Sequence, residues 1–189
     1  MAIPDIDKII RQKLKELERI RDRVLPVKVG RAVRDSVREN FRQGGFYGSK
    51  WQDTKRRELG FSGVDGQYGP LLSRQNHLRS STDYVPGKGS VTIQNTTEYA
   101  EIHNEGGDIP VTVRMKKFFW AKAYAEKDKE SPEAGFWKAM ALKKPGSVIK
   151  IPKRQFMGPH PEVEKMIEDI TNKELQNHIN NGINNRRTR

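Results

Sequence analysis

The stretch Tyr99-Ala100-Glu101-Ile102-His103-Asn104-Glu105-Gly106-Gly107 decides how this chain is punctuated. Tyr99 to His103 reads as a short helix or strand, and the paired glycines end it. Two flanking stretches are built the same way. One is Gly69-Pro70-Leu71-Leu72, with Leu78 further on; the other is Ile151-Pro152-Lys153-Arg154-Gln155-Phe156-Met157-Gly158. Each joins a backbone-fixing Gly or Pro to apolar anchors, and none has the layout of a catalytic cassette.

Around these stretches the periodicity is mostly helical. Ile6, Ile9, Ile10, Leu14, Leu17, Ile20 and Val24 recur at three- and four-residue steps and predict a helix over 4–24 that Pro26 interrupts. Val29, Val33, Val37 and Phe41 predict a second helix over 27–43, stopped by Gly44-Gly45, and the two are expected to fold as an antiparallel pair. Residues 44–69 are glycine-rich, with scattered aromatics including Trp51, and read as a long docking loop. A short helix is expected over 71–80, with Leu71, Leu72 and Leu78 inward. Asp83-Tyr84-Val85 and Ser90-Val91-Thr92-Ile93 then flank Pro86-Gly87-Lys88-Gly89 as a β-hairpin.

Residues 109–150 read as an insertion arm. Ile109–Val113 and Ser147–Ile151 are strand candidates, and two helices lie between them, the second capped by Ser131 with Pro132 at its first position. Pro145-Gly146 suits the centre of a type II turn. The last helix starts at Pro161 and is expected to end at Asn180-Asn181-Gly182, leaving 183–189 as a mobile basic tail. The fold class is therefore α+β: a small antiparallel or mixed sheet packed with N- and C-terminal helices, plus a helical insertion on a β-hairpin arm. It reads as a single domain over 1–189, with 1–26 as an N-terminal helical extension.

Net charge is +12, unevenly spread. Residues 111–154 hold 12 Lys/Arg against 4 Asp/Glu and residues 1–43 hold 12 against 7, whereas 44–110 and 155–189 are nearly balanced. Such asymmetry suits a polyanion or an acidic protein surface, or else a solvated face. With no cysteine, disulfides, thiolate metal sites and cysteine nucleophiles are excluded. No apolar run is long enough to span a membrane, and Met1–Asp5 lacks the layout of a signal peptide, so synthesis in the cytoplasm is expected.

Catalytic signatures are lacking. The four histidines, His77, His103, His160 and His178, form no close pair for zinc. His103 beside Glu101 and Glu105 suits a metal or a hydrolase less well than a polar tip at the end of a packed element. Gly87-Lys88-Gly89-Ser90 lacks the spacing of a phosphate-binding loop. The basic segment is the better candidate surface. Arg114, Lys116, Lys117, Lys122, Lys138, Lys143 and Lys144 intermix with Phe118, Phe119, Trp120 and Trp137, a composition found on nucleic-acid surfaces. The aromatics fall at helical core spacing, which favours packing.

Taken in order, four segments resemble the phage virion morphogenesis family, which includes phage tail-completion proteins. They are Phe41 with Gly44-Gly45 and Trp51; Gly69-Pro70-Leu71-Leu72 with Leu78; Tyr99-Ala100, Ile102-His103 and Gly106-Gly107; and Ile151-Pro152, Arg154 and Phe156-Met157-Gly158. The resemblance covers about residues 27–180. Gln155 stands where the family pattern has proline, and the arm over 109–150 is longer than a minimal member needs. The resemblance implies a non-enzymatic subunit, without cofactor or metal, in the tail or neck of a virion. It would form a homo-oligomeric ring, expected to be a hexamer, that completes the tail and joins it to the head. Its partners would be the tail-tube protein, head–tail connector or neck proteins and the DNA passing through the lumen, with no membrane. Expected contact residues are Trp51, Arg114, Lys116, Lys117, Lys143, Lys144 and Arg154, the last suited to pairing with an acid across an interface. The alternatives are a basic DNA-binding accessory protein in head assembly or packaging and, more remotely, a hydrolase using His103.

Overall fold

The computed structural model describes residues 6–61 and 64–187. Two compact units arise from an interleaved chain: Met1–Arg38, Thr82–Asn95 and Gly158–Arg189 form one, and Glu39–Ser81 with Thr96–Met157 form the other. The architecture is α+β. Among the described residues its strands form three separate two-stranded antiparallel ribbons rather than the one sheet expected.

In the first unit, helix α1 (Ile6–Arg19) leads through a π-helical turn (Ile20–Val24) into α2 (Leu25–Gln43), which continues into the second unit. This corrects the expected break at Pro26. A mid-helix proline lacks an N–H and its ring clashes with the carbonyl four residues back. Here the preceding turn widens, so that Leu25 N–H donates to Ile20 O, and Pro26 lies in the first turn of α2, where its missing donor costs little. The two helical segments therefore run on without folding into an antiparallel pair. The start of the first predicted helix, at residues 4–5, lies outside the described residues.

The valine stripe of α2 is buried as its spacing requires, with Val29, Val33 and Val37 all under 10% exposed. Strands β3 (Thr82–Gly87) and β4 (Ser90–Asn95) pair from Thr82↔Asn95 to Gly87↔Ser90, which leaves a two-residue turn at Lys88-Gly89. The hairpin packs on α2 at Gly30, where an added Cβ would lie 2.3 Å from the Tyr84 ring. The Arg34 guanidinium lies over that same ring, 5.4 Å from its centroid. Helix α9 (Pro161–Arg187) is tied in by an ion pair of Glu174 with Lys28 and by His178 Nε2, which lies 3.4 Å from the Glu16 carboxylate. It runs past Asn180-Asn181-Gly182, where an end was expected; residues 188–189 of the predicted tail lie outside the described residues.

The second unit opens on the end of α2. Gly44 adopts φ 67° and stops the helix, and the predicted loop contains a small ribbon, β1 (Gly45–Phe46) with β2 (Ser49–Lys50), and two short helices, α3 (Lys55–Glu58) and α4 (Val64–Gln67). The helix expected over 71–80 shrinks to α5 (His77–Ser80), because Leu71 and Asn76 take left-handed backbone angles that no helix can contain. The stretch after Tyr99 is helical, α6 (Ala100–Glu105). The arm matches its expected plan: β5 (Gly107–Pro110) pairs antiparallel with β6 (Val148–Ile151), and α7 (Val113–Ala125) and α8 (Pro132–Leu142) lie between them. Val113 begins α7 instead of ending a strand, because Thr112 Oγ1 caps the helix through Met115 N–H. Ser131 caps α8 in the same way through Ala134 N–H. Phe61, Phe119, Ala123, Trp137 and Ala141 form the arm's core. Among the described residues no helix is long and apolar enough to cross a membrane.

Candidate functional site

Within the second unit the three opening stretches meet. Helix α6 delivers Asn104, whose Oδ1 accepts from Phe156 N–H at 2.9 Å and Met157 N–H at 3.1 Å. One residue earlier, His103 O accepts Arg154 N–H at 2.9 Å. The same closing segment is held from its other side by residues near the end of α2: Asn40 Nδ2 donates to Phe156 O at 3.3 Å, and Trp51 Nε1 donates to Gln155 O at 2.7 Å. Phe156 is fully buried against Phe41, with ring centroids 5.0 Å apart, and Phe41 in turn meets Trp51 edge-on at 5.5 Å. A buried backbone must pair its polar groups, and in this irregular segment Asn40, Asn104 and Trp51 supply partners that a sheet would otherwise provide.

Arg154 is also buried. Its Nε donates to Gln52 O at 2.8 Å and its Nη2 to Asp53 O at 3.0 Å, so the guanidinium clamps the loop after Trp51. Beside it lies a cavity of 340 Å³, which Leu71, Leu72, Leu78, Tyr99, His103 and Arg154 help to line. The left-handed turn at Leu71 carries Leu71 and Leu72 into the cavity wall. Among the described residues no group of three or more His, Asp or Glu is arranged to hold a metal ion.

His103 is pushed below its ordinary pKa of 6.5, first by burial and then by the nearby Arg154 charge. The folded unit therefore favours neutral imidazole, while the unfolded chain takes up its proton near the ordinary value. Stability from this group is complete above about pH 6.5 and declines as the pH falls toward the depressed folded value, because the unfolded state binds more protons there. All three tryptophans belong to this unit, so their fluorescence reports its unfolding. The urea midpoint is expected to drop between about pH 7.5 and about pH 5.5, and the drop should shrink in His103→Gln. Equal drops in both proteins would exclude His103 as the cause.

The expected contact residues separate into two groups. Trp51 and Arg154 join at the motif junction, where both have partners inside the unit. Arg114, Lys116, Lys117, Lys143 and Lys144 lie on the arm, and among the described residues none makes an ion pair. Arg114 and Lys117 share a face of α7 and are exposed, as is Lys144, whereas Lys116 and Lys143 are half-buried. Phe119 and Trp137 point into the arm's core, leaving Phe118 the exposed aromatic beside these cations, with Lys122 5.8 Å from its ring centroid. Asn104 and Asn40 were missed as organising residues. Asn104 was present inside the quoted stretch, but nothing local signals its bonds to residues far along the chain.

The model of the phage virion morphogenesis family matches residues 5–176. The chain belongs to that family. The match takes in α1 and the whole arm along with the three stretches. No curated protein and no solved structure matches the chain. Family membership assigns the phage virion morphogenesis protein a role in building the particle.

Proposed function

We propose that this family member is a tail-completion subunit that assembles as a ring at the head-proximal end of the tail and helps join tail to head, without catalysis. The observation that carries this reading is the uncovered apolar stripe of α1. Ile6, Ile10 and Leu14 are each more than half exposed, Leu17 is 39% exposed, and α1 has no buried residue. An amphipathic helix with its apolar stripe in water calls for a partner surface. In a cyclic ring each subunit offers two different faces, and such a stripe suits one of them. Electron microscopy of the purified chain, alone and mixed with tails, tests the reading. The wild type should give rings or capped tails. Ile10→Glu with Leu14→Glu should give neither while leaving the tryptophan-monitored unfolding unchanged. Particles whose heads and tails join normally when the chain is deleted would overturn the proposal.

A second reading, a DNA-contacting role, rests on α7, which carries Arg114, Lys116, Lys117 and Lys122 and no acid. It requires duplex binding that weakens steeply with salt and with loss of Arg114 and Lys117.

A further inference from the structure

The cavity beside Arg154 has a cationic lining among the described residues. Three arginines, Arg56, Arg74 and Arg154, contribute to its lining together with His103, and among the described residues no Asp or Glu does. Arg154 is 8% exposed and, among the described residues, forms no ion pair with a carboxylate. Its acceptors are two backbone carbonyl oxygens, which occupy two of five guanidinium donors. His103 Nδ1 is buried and has no hydrogen-bond partner. The Asp53 and Glu58 carboxylates act on Arg154 without bonding to its guanidinium, and a buried ring nitrogen without a partner is costly; a single bound oxyanion would give both groups a direct partner. Tyr68, Tyr99, Thr54 and Ser73 add hydroxyl donors to the same wall.

We infer that this cavity is a socket for a carboxylate carried on an acidic side chain of a partner polypeptide. The planar guanidinium fork matches a carboxylate in two parallel hydrogen bonds. Size selects a side chain over a nucleic acid. A volume of 340 Å³ admits a carboxylate on a short stem, whereas the phosphates of a duplex sit on a surface far too broad to enter. Leu71, Leu72 and Leu78 add an apolar stretch of wall that suits a methylene stem better than a hydrated phosphodiester. Arg74 is exposed and stands on the lining, placed to meet the incoming charge first.

Isotope-labelled full-length chain titrated with glutarate provides the test, with glutaramide as the uncharged isostere, inorganic phosphate as the tetrahedral anion and a short DNA duplex as the polymer. Glutarate should produce saturable shifts centred on the Arg154 Nε–H and His103 ring signals, and glutaramide none. Arg74→Gln should weaken glutarate binding roughly tenfold, the scale of one lost charged hydrogen bond. Arg154→Lys, which keeps the charge and loses the fork, should abolish saturation. Arg154 also clamps a loop, so the exposed Arg74 keeps the test decisive if that variant fails to fold. Phosphate or duplex binding there more tightly than glutarate, equal shifts from glutaramide, or indifference to Arg74→Gln would each overturn the inference. The result is separable from tail completion: a chain that forms rings yet ignores glutarate loses the socket alone, and one that binds glutarate yet never caps tails loses the ring.

Discussion

Gly106→Ala is expected to destabilise the second unit by between about 2 and 6 kcal/mol. Gly106 has φ 75° and ψ 174°, a backbone region that residues with a Cβ essentially never occupy. Holding alanine there costs of order 1–3 kcal/mol. Space adds a second penalty. The new Cβ would lie 2.8 Å from Lys153 N, and 3.1 Å from both Ile151 O and Lys153 Cα. All three are backbone atoms, so no side chain can swing aside. The segment carrying Ile151 and Lys153 must move instead, at the roughly 1–3 kcal/mol typical of overpacking. Urea unfolding followed by tryptophan fluorescence measures the loss. Gly135→Ala is the control: nothing lies within 4 Å of its Cβ position, and alanine in the helix should be neutral or stabilise by up to about 1 kcal/mol. Equal effects at the two sites would show that close backbone approach at Gly106 is not what matters.

Gly106 also shows how much the sequence discloses. Paired glycines after a short helix or strand announced a stop, and the stop is where it was expected. What they could not announce was the neighbour: Lys153 is remote in sequence, and its approach follows from the pairing of β5 with β6. The arm was legible because its strands and the Ser131 cap are local signals, whereas the Thr112 cap was read as part of a strand. Pro26 misled because local rules give a mid-helix proline as a break, and a π-helical turn is a context-dependent way of absorbing one. Leu71 misled for the opposite reason: a leucine carries no sign that its φ will be 62°. The candidate site was half visible. The three stretches were recognised as a set, but their convergence depends on side-chain bonds to backbone spanning some fifty to more than a hundred residues, and no periodicity encodes those.

The strongest test of that convergence is Asn104→Ala, expected to cost the second unit about 2–6 kcal/mol. The substitution removes one acceptor, Oδ1, and strands two donors, Phe156 N–H and Met157 N–H. Each unmet donor in a buried setting costs about 1–3 kcal/mol, and Phe156 lies in the least exposed part of the unit. Cavity formation contributes less, since asparagine is small and polar. Asn104→Asp separates the hydrogen bonds from mere volume. Its carboxylate can still accept both N–H groups, while it loses the Nδ2 donor to Glu105 Oε1 and meets that residue's charge. Glu105 is 56% exposed on its side chain and already pairs with Lys153 at 3.0 Å, so it can turn away. Aspartate should therefore restore more than half of the stability that alanine loses, read again as the urea midpoint. If aspartate and alanine are equally damaging, the two N–H bonds are not what fixes the closing segment. If aspartate recovers, Asn104 holds the backbone that places Arg154. In that case Asn104→Ala should also weaken glutarate binding, though Asn104 does not line the cavity.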